Sequence, residues 1–277
     1  MRVLLRRALT AVKRFPVVTP VAHHGLPAPL IITLTSYPPR FPDLVKTLRS
    51  LLDQAVPADT VQLWIAHDDI EALPDDVRTL EEYGLEIHAC EDTRSYKKLI
   101  PALTQRPDCF YVTADDDVYY PPDWLASLVA EQKTHPGAVI ATRSHMAHFD
   151  EDEMLAPYAS WELAASQTSN RDDGRVLFPT GVGGVLYPPG CFADQVLDKE
   201  IFLELCPRGD DIWFFWMARM AGTKHRRVSG AFDIIDWPNS QEVALASQNL
   251  FADGNDGQIR AMEKHFGPVP DVMSAKP

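Results

Sequence analysis

A short apolar run that empties into three consecutive carboxylates constrains this chain more than any other feature. Cys109-Phe110-Tyr111-Val112-Thr113-Ala114 is rich in β-formers and reads as a strand buried on both faces. Asp115, Asp116 and Asp117 follow at once. Pro121-Pro122 then stops the strand, and Asp123 is expected to cap a helix starting at Trp124, with Leu125, Leu128 and Val129 on one face. Three anions delivered side by side by a core strand repel unless a cation or solvent neutralises them. Solvent does so if the triplet is a plain acidic turn. A divalent ion does so if the triplet lies at the C-terminal edge of an open α/β sheet, where ligands of such folds bind. Carboxylates suit Mg²⁺ or Mn²⁺, and such ions commonly hold substrate phosphates as well.

The flanking sequence decides what kind of sheet this is. Leu30–Thr35 reads as a first buried strand, ended by Ser36-Tyr37-Pro38-Pro39-Arg40, and a helix follows with Phe41, Leu44, Leu48, Leu51 and Leu52 on one stripe. Val61–Ala66 is a second strand ending in His67-Asp68-Asp69. Pro74–Tyr83 reads as a helix stopped at Gly84. Leu85–Ala89 is a third strand ending near Glu91-Asp92, and Ser95–Leu103 a helix carrying Lys97 and Lys98. Four βα units with polar residues after each strand predict an α/β fold: an open, mostly parallel, Rossmann-like sheet flanked by helices, its site along one edge. Neither GxGxxG nor GxxxxGK[ST] occurs, which argues against dinucleotide enzymes and P-loop NTPases.

Beyond a strand at Val139–Thr142 the pattern loosens. Ser144–Arg175 is polar and irregular and reads as a substrate-facing excursion. In Phe178–Tyr187 the glycines Gly181, Gly183 and Gly184 suit either close backbone approach to a ligand or a plain strand bend. Asp210-Asp211 open a helix that runs through Trp213, Phe214, Met217 and Met220 to Gly222. Acids in a first turn favour the helix on their own account, and one of them facing a metal could serve as a general base. His225, Asp233, Asp236, Asn239, Asn255, Asp256 and His265 follow; Asn249–Gly257 reads as a loop and Gln258–Phe266 as a short helix.

Charge and cysteine usage narrow the classes further. The chain of 277 residues has a formal net charge of −13, which argues against a nucleic-acid partner. The first acid, however, is Asp43. Before it, Arg2, Arg6, Arg7, Lys13 and Arg14 interleave with Leu4, Leu5, Ala8, Leu9 and Val12, forming a basic amphipathic helix that either rests through residues 1–15 on an anionic membrane or is a solvated terminus. The expected layout is therefore a basic segment and linker over 1–29, one catalytic domain over 30–267 (30–142 and 143–267 as its halves) and a tail over 268–277. No pair among the four cysteines has metal-type spacing, so a reducing compartment is expected, the cytoplasm or the inner face of its membrane.

Taken in order, ITLTSYPPR, TADDDVYYPPDWL, GVGGVLYPP and GDDIWF resemble the GT-A glycosyltransferases, specifically bacterial family-2-like enzymes of surface polysaccharide synthesis, over about residues 30–230. The resemblance implies a GT-A fold with an irregular acceptor-side region, a nucleotide-sugar donor (a UDP-sugar by the family's habit), Mn²⁺ or Mg²⁺, and a glycan or lipid-linked acceptor. It implies Asp117 as a metal ligand and Asp115 as donor contact and second ligand, with Asp116 between them. The nucleotide would lie near Thr35, Tyr37 and Arg40, with Asp68 or Asp69 close by, and Lys98 would meet the diphosphate. Asp211 would be the general base. Its partner Asp210 is the alternative, because the family's pair is more often Glu-Asp. His225 is the candidate for a downstream metal-ligating histidine. The rivals are a nucleotidyltransferase, a phosphatase using Asp115 as nucleophile, and a non-catalytic carbohydrate-binding or assembly protein. The first wants a Gly-rich loop where Tyr-Pro-Pro-Arg stands, the second wants its acid on the first strand, and the third needs no second acidic pair.

Overall fold

The alternation of buried strands and amphipathic helices folds into layers much as its periodicity predicts. The computed structural model describes residues 2–170, 175–230, 233–238 and 254–270. Its strands are β1 (Leu30–Thr35), β2 (Thr60–Ala66), β3 (Leu85–Cys90), β4 (Phe110–Thr113), β5 (Val139–Ala141), β6 (Ser144–Ala147), β7 (Val176–Pro179), β8 (Val185–Tyr187) and β9 (His225–Arg227). Among the described residues, seven of these form one sheet in the order β3-β2-β1-β4-β8-β5-β9, while β6 and β7 pair antiparallel beside it. Within the large sheet only β8 is reversed: it is antiparallel to both β4 and β5, and β9 runs parallel to β5. The open, mostly parallel sheet is thus as expected; the reversal of β8 was not foreseen.

Side chains of period two divide between the two faces of the sheet. Leu30, Ile32 and Leu34 of β1, with Leu63 and Ile65 of β2, pack under α2 (Phe41–Leu52), α3 (Asp75–Arg78) and α5 (Trp124–Thr134). Ile31, Trp64 and Tyr111 face the other way, toward α4 (Ile100–Gln105), α6 (Lys199–Leu205), α7 (Asp210–Met220) and α8 (Gly254–Phe266). The helix α7 is apolar all round, with Ile212 through Ala218 buried, as befits an element enclosed in the protein. Its only way to bring charge to the surface is through its ends.

Several local expectations change for identifiable reasons. The helix read over Ser95–Leu103 is split into a 3₁₀ turn at Arg94–Lys98 and α4, because Pro101 has no N–H and disfavours helical backbone before it. The Pro74–Tyr83 helix is α3 followed by a 3₁₀ turn that Gly84 ends at φ +95°. Asp123 does not cap α5 with its side chain; Gln54, from the end of α2, accepts the Leu125 N–H at 3.0 Å instead. The stretch read as irregular from Ser144 holds β6. The loop expected to Gly257 is helical from Gly254, and Asn239, with the rest of 239–253 and 271–277, lies outside the described residues.

The basic segment is laid against the body. It forms α1 (Arg2–Arg14), whose Leu5, Ala8, Leu9 and Val12 pack with Tyr119, Ile235 and Trp237. The Val18 N–H then donates to Asp53 at 2.8 Å, Val21 N–H to the Ala55 carbonyl at 2.9 Å, and His24 Nε2 lies 3.0 Å from Asp59. The apolar face of the helix is consequently turned inward, and its arginines outward.

Because β8 is reversed, its entry loop rather than its exit arrives at the C-terminal edge of the parallel strands. Gly184, at φ +99°, closes that loop, and a Cβ there would come within 2.5 Å of the Trp124 ring and 3.1 Å of the Thr113 carbonyl. Gly184→Ala is therefore expected to destabilise the fold by about 2–4 kcal/mol, adding left-handed strain to overpacking. Gly137→Ala, at φ +80° with nothing within 4 Å, should cost only about 1–2 kcal/mol. Urea denaturation of the two variants checks the difference, and equal losses would mean that the Trp124 contact is unimportant.

Candidate active site

Strand β4 delivers Asp115, Asp116 and Asp117 to the edge of the sheet, and each meets a different partner. Asp116 accepts a hydrogen bond from the Ser36 hydroxyl at 2.5 Å. Asp117 accepts one from Arg40, whose guanidinium also lies 3.8 Å from Asp116. Asp115 is 3.7 Å from the Lys98 ammonium, and its own backbone N–H donates to the Tyr120 hydroxyl at 2.8 Å. The repulsion anticipated from the sequence is real, and the protein's own cations answer part of it.

The second acidic pair converges on the same lysine. Asp210 forms an ion pair with Lys98 at 2.8 Å, so one ammonium, itself 7% exposed, joins the pair at the head of α7 to the triplet after β4. Asp211 accepts the Gly181 N–H at 3.0 Å. A Cβ at Gly181 would sit 2.9 Å from Lys98 Nζ and 3.0 Å from Asp211 Oδ1, so only glycine leaves this space to the charged groups. In the glycine segment Gly181 thus lies against the chain's own Asp211 and Lys98, while Gly183 and Gly184, at φ +93° and +99°, make the bend that leads into β8.

Carboxylates outnumber cations here. Asp236, from the segment that pairs with the triplet loop through a Val118–Asp236 bridge, adds another. Burial, then the neighbouring Asp117, pushes its carboxyl above the usual range although Arg40 opposes the shift. Burial raises Asp115 despite Lys98, and burial raises Asp116 to about 7 despite Ser36 and Arg40. Burial and the charge of Asp210 raise Asp211 against Lys98 and the Gly181 N–H. Burial disfavours the charge on Lys98 and Arg40, but their carboxylate neighbours outweigh it and hold both firmly protonated. A set of carboxylates with too few counter-charges is the donor chemistry that Mg²⁺ or Mn²⁺ prefers, but among the described residues no three of them bring ligand atoms within 4.8 Å of one another, as His23, His24 and Asp59 do; the residues fit the implied ion in chemistry, as a site of two protein carboxylates.

Other expected residues stand apart from that cluster. Thr35, at the end of β1, spends its hydroxyl on the Trp64 carbonyl at 2.7 Å. Tyr37 is half-buried beside Arg40. Asp68 is exposed and Asp69 half-buried in the 3₁₀ turn after β2, on the same sheet edge. Lys98, expected to meet a diphosphate, is buried and paired with Asp210 and Asp115, between the two acidic groups. Arg40, expected near a nucleotide, holds Asp117. His225 is a correction. It opens β9 opposite Val139, at the N-terminal end of the parallel strands, three strand spacings or about 14 Å across the sheet from β4. Its ring packs on Phe215, and burial followed by the charge of Arg219 lowers its pKa to about 3, so it shares no ion with Asp117.

Sequence reading gave no role to Asp236, Ser36, Arg143 or Tyr158. Arg143, at the end of β5, donates to Thr180 Oγ1 at 3.1 Å, next to the Gly181 that holds Asp211. The Tyr158 N–H donates to Asp256 of α8 at 2.7 Å, and burial together with Asp211 raises its phenol. These two bound the far side of Asp211. The only sequence cue for Asp236 was an acid inside the apolar run Ile234-Ile235-Asp236-Trp237.

No protein-family model matches the sequence, and no curated protein matches it. Solved structures do resemble it. The S. aureus TarS 1-349 structure in complex with UDP aligns with a TM-score of 0.50 and 15% identity, over 73% of this chain and 59% of that one. The TarS 1-349 structure without a named ligand aligns at 0.49 and 13%, over 86% and 82%. The 4-diphosphocytidyl-2C-methyl-D-erythritol synthase of Anaerococcus prevotii DSM 20548 aligns at 0.44 and 16%, over 80% and 94%. This chain spans about three fifths of the first of these. At such identities the likeness speaks to architecture, and the architecture is the mixed α/β, GT-A type of sheet that the four ordered motifs resembled.

Proposed function

We propose that the protein is an inverting glycosyltransferase that moves a sugar from a nucleoside diphosphate, a UDP-sugar, to a hydroxyl of a glycan or lipid-linked acceptor with the help of Mn²⁺ or Mg²⁺. The observation that carries this reading is the Lys98 bridge: Asp210 at 2.8 Å and Asp115 at 3.7 Å from one ammonium mean that the two acidic groups line one site. Neither a plain acidic turn nor a binding surface needs that convergence. The fold shared with TarS, solved with UDP, supports a nucleoside diphosphate.

In this reading the nucleotide lies over the ends of β1 and β2, near Tyr37, Asp68 and Asp69. Asp117 and Asp115, with Asp236 beside them, are the residues that would hold the ion. When bound, the ion would supply positive charge that binds the diphosphate and stabilises it as it departs. The acceptor enters past Arg143 and Tyr158. Its hydroxyl is a weak nucleophile, so Asp211 takes the proton as the oxygen forms its bond to the anomeric carbon. The bond from that carbon to the diphosphate oxygen breaks on the opposite side, and its electron pair leaves with the diphosphate. One base opposite one leaving group gives inversion. The raised affinity of Asp211 for a proton suits a base working near neutrality, while Lys98 and the Gly181 N–H keep it ionised and aimed. Among the described residues no helix is long and apolar enough to cross a membrane. We place the protein in the cytoplasm, with the arginine face of α1 toward the inner membrane surface.

Three measurements test this. Asp211→Asn should keep donor binding and lose about 10²–10⁴-fold in kcat. In the wild type kcat should rise with pH through a value above the ordinary carboxylate range, because the base works only once deprotonated; near wild-type turnover by the Asn variant would remove Asp211 from the role. A thermal-shift screen of nucleoside diphosphates should show UDP raising the Tm, more so with Mn²⁺ than with chelator. No response to any nucleotide would overturn the donor assignment.

The third test reads the charge excess directly. The pKa of Asp116 is raised in the fold from 3.8 to about 7, so the native state binds the proton more tightly than the unfolded chain and stability falls as pH rises across that window. In chelator at pH 8, Asp116→Asn should therefore be more stable than wild type by roughly 2–4 kcal/mol, with the gain vanishing near pH 4. Urea melts at the two pH values measure it, and an unstable variant at pH 8 would show that the carboxylates are already balanced.

A further inference from the structure

Behind the carboxylate loop, between α1, α2 and Tyr119-Tyr120, lies a cavity of about 540 Å³. Its walls carry Arg6, Arg7, Arg14 and Arg49 as well as apolar surface from Val12 and Tyr119. In a chain of net charge −13, four arginines around one hollow would be expected to find acids. Among the described residues none of them has a carboxylate within 4 Å. The one acid on the wall, Asp53, is engaged by the backbone N–H groups of Val17 and Val18. Arg49 Nε is buried with no hydrogen-bond partner, and its Nη1 reaches only the Val12 carbonyl, at 3.4 Å. Arg6, Arg7 and Arg14 stand exposed around the hollow and Arg49 is half-buried in it; like charges gathered there with unused donors call for an anion.

The cavity's size and walls say what kind. It falls within the range of pockets that take small organic ligands, and its apolar lining would be wasted on a bare oxyanion. The inward turn of α1 matters too: Leu5, Ala8, Leu9 and Val12 are committed to Trp237 and its neighbours, so the helix has no apolar face left to lay into a bilayer. A membrane contact through this helix would then be made by the arginines, with Val3 the exposed apolar residue beside them. We infer that this cavity binds the phosphate headgroup and first chain carbons of a single anionic phospholipid. The inference is independent of the transferase reading and refines the membrane contact of α1 from general adhesion to recognition of one lipid.

Such an occupant would sit against the back of the site. Ser50, on the cavity wall, accepts the Tyr120 N–H at 3.2 Å, and the Tyr120 hydroxyl accepts the Asp115 N–H at 2.8 Å. Calorimetry with dihexanoyl phosphatidylglycerol below its micelle concentration tests the inference without a membrane. Saturable binding of one lipid per protein is expected, at least tenfold tighter than dihexanoyl phosphatidylcholine or inorganic phosphate. Arg49→Ala should weaken it at least tenfold. So should Thr10→Phe, which keeps every charge and puts bulk at the cavity wall. Arg2→Ala, off the cavity, should bind normally. Arg7→Gln, at an exposed position, substitutes for either variant that circular dichroism shows to be unfolded. Binding that does not saturate, phosphate binding as tightly as the lipid, or wild-type affinity in both cavity variants overturns the inference. So does binding to phosphatidylglycerol vesicles without binding to the monomeric lipid, which would mean surface adhesion alone.

Discussion

One buried ammonium holds this site together. Lys98 is nearly inaccessible, and its charge is tolerable only because Asp210 lies 2.8 Å away with Asp115 and Asp211 close by. The dependence is mutual. Without Lys98, the acids at the head of α7 and after β4 would face each other across a poorly solvated gap, and breaking such a pair by removing one partner is costly. The lysine therefore fixes the distance between two groups that the chain brings from opposite sides of the sheet's edge.

That arrangement needs α7 to point its N-terminus at the sheet edge, and the helix's composition leaves it little freedom. Trp213, Phe214, Phe215, Trp216 and Met217 are all buried, so no rotation about the axis would expose an apolar residue to advantage. What remains is to place the polar end outward. Asp210 and Asp211 gain from the partial positive charge of the first turn, which helps two adjacent carboxylates to coexist. The reversed strand β8 contributes the remaining constraint. By entering the sheet at the active edge it presents the Gly181 N–H to Asp211, and Trp124 Nε1 secures the same loop by donating to the Gly183 carbonyl at 2.6 Å.

The parts of this fold that sequence made legible were those governed by local periodicity. The buried runs at Leu30–Thr35 and Phe110–Thr113 and the stripe of leucines in α2 left few alternatives, and the acids after β4 and at the head of α7 stood out against apolar surroundings. What escaped depended on pairing between distant segments. Three residues of β8 carry no mark of direction, since Val185-Leu186-Tyr187 would serve equally in a parallel or reversed strand. The resemblance implied a metal-ligating histidine downstream of the aromatic helix and His225 stood there, yet the register of β9 against β5 carries it to the opposite edge. Asp236 was hidden for the converse reason. It lies far along the chain in an unremarkable run, and only its bridge to Val118 makes it a neighbour of Asp117.

The triplet loop is best understood as having two sides. Its front bears the carboxylates. Its back is braced by Thr47, which donates to the Asp116 carbonyl at 2.9 Å and accepts the Trp237 indole N–H at 2.8 Å. Trp237 also donates its backbone N–H to the Asp117 carbonyl at 3.1 Å and packs beneath Ala8 and Val12 of α1. A loop that must concentrate like charges cannot rely on those charges for its shape, because they push it open. The backbone bonds from Thr47, Tyr120 and Trp237 supply the shape instead, from the side that faces away from the carboxylates. This makes the basic N-terminal helix part of the site's foundation rather than an appendage. It covers the indole that anchors the loop, and its own positive charge lies on the far side of the same few residues that hold the acids in place.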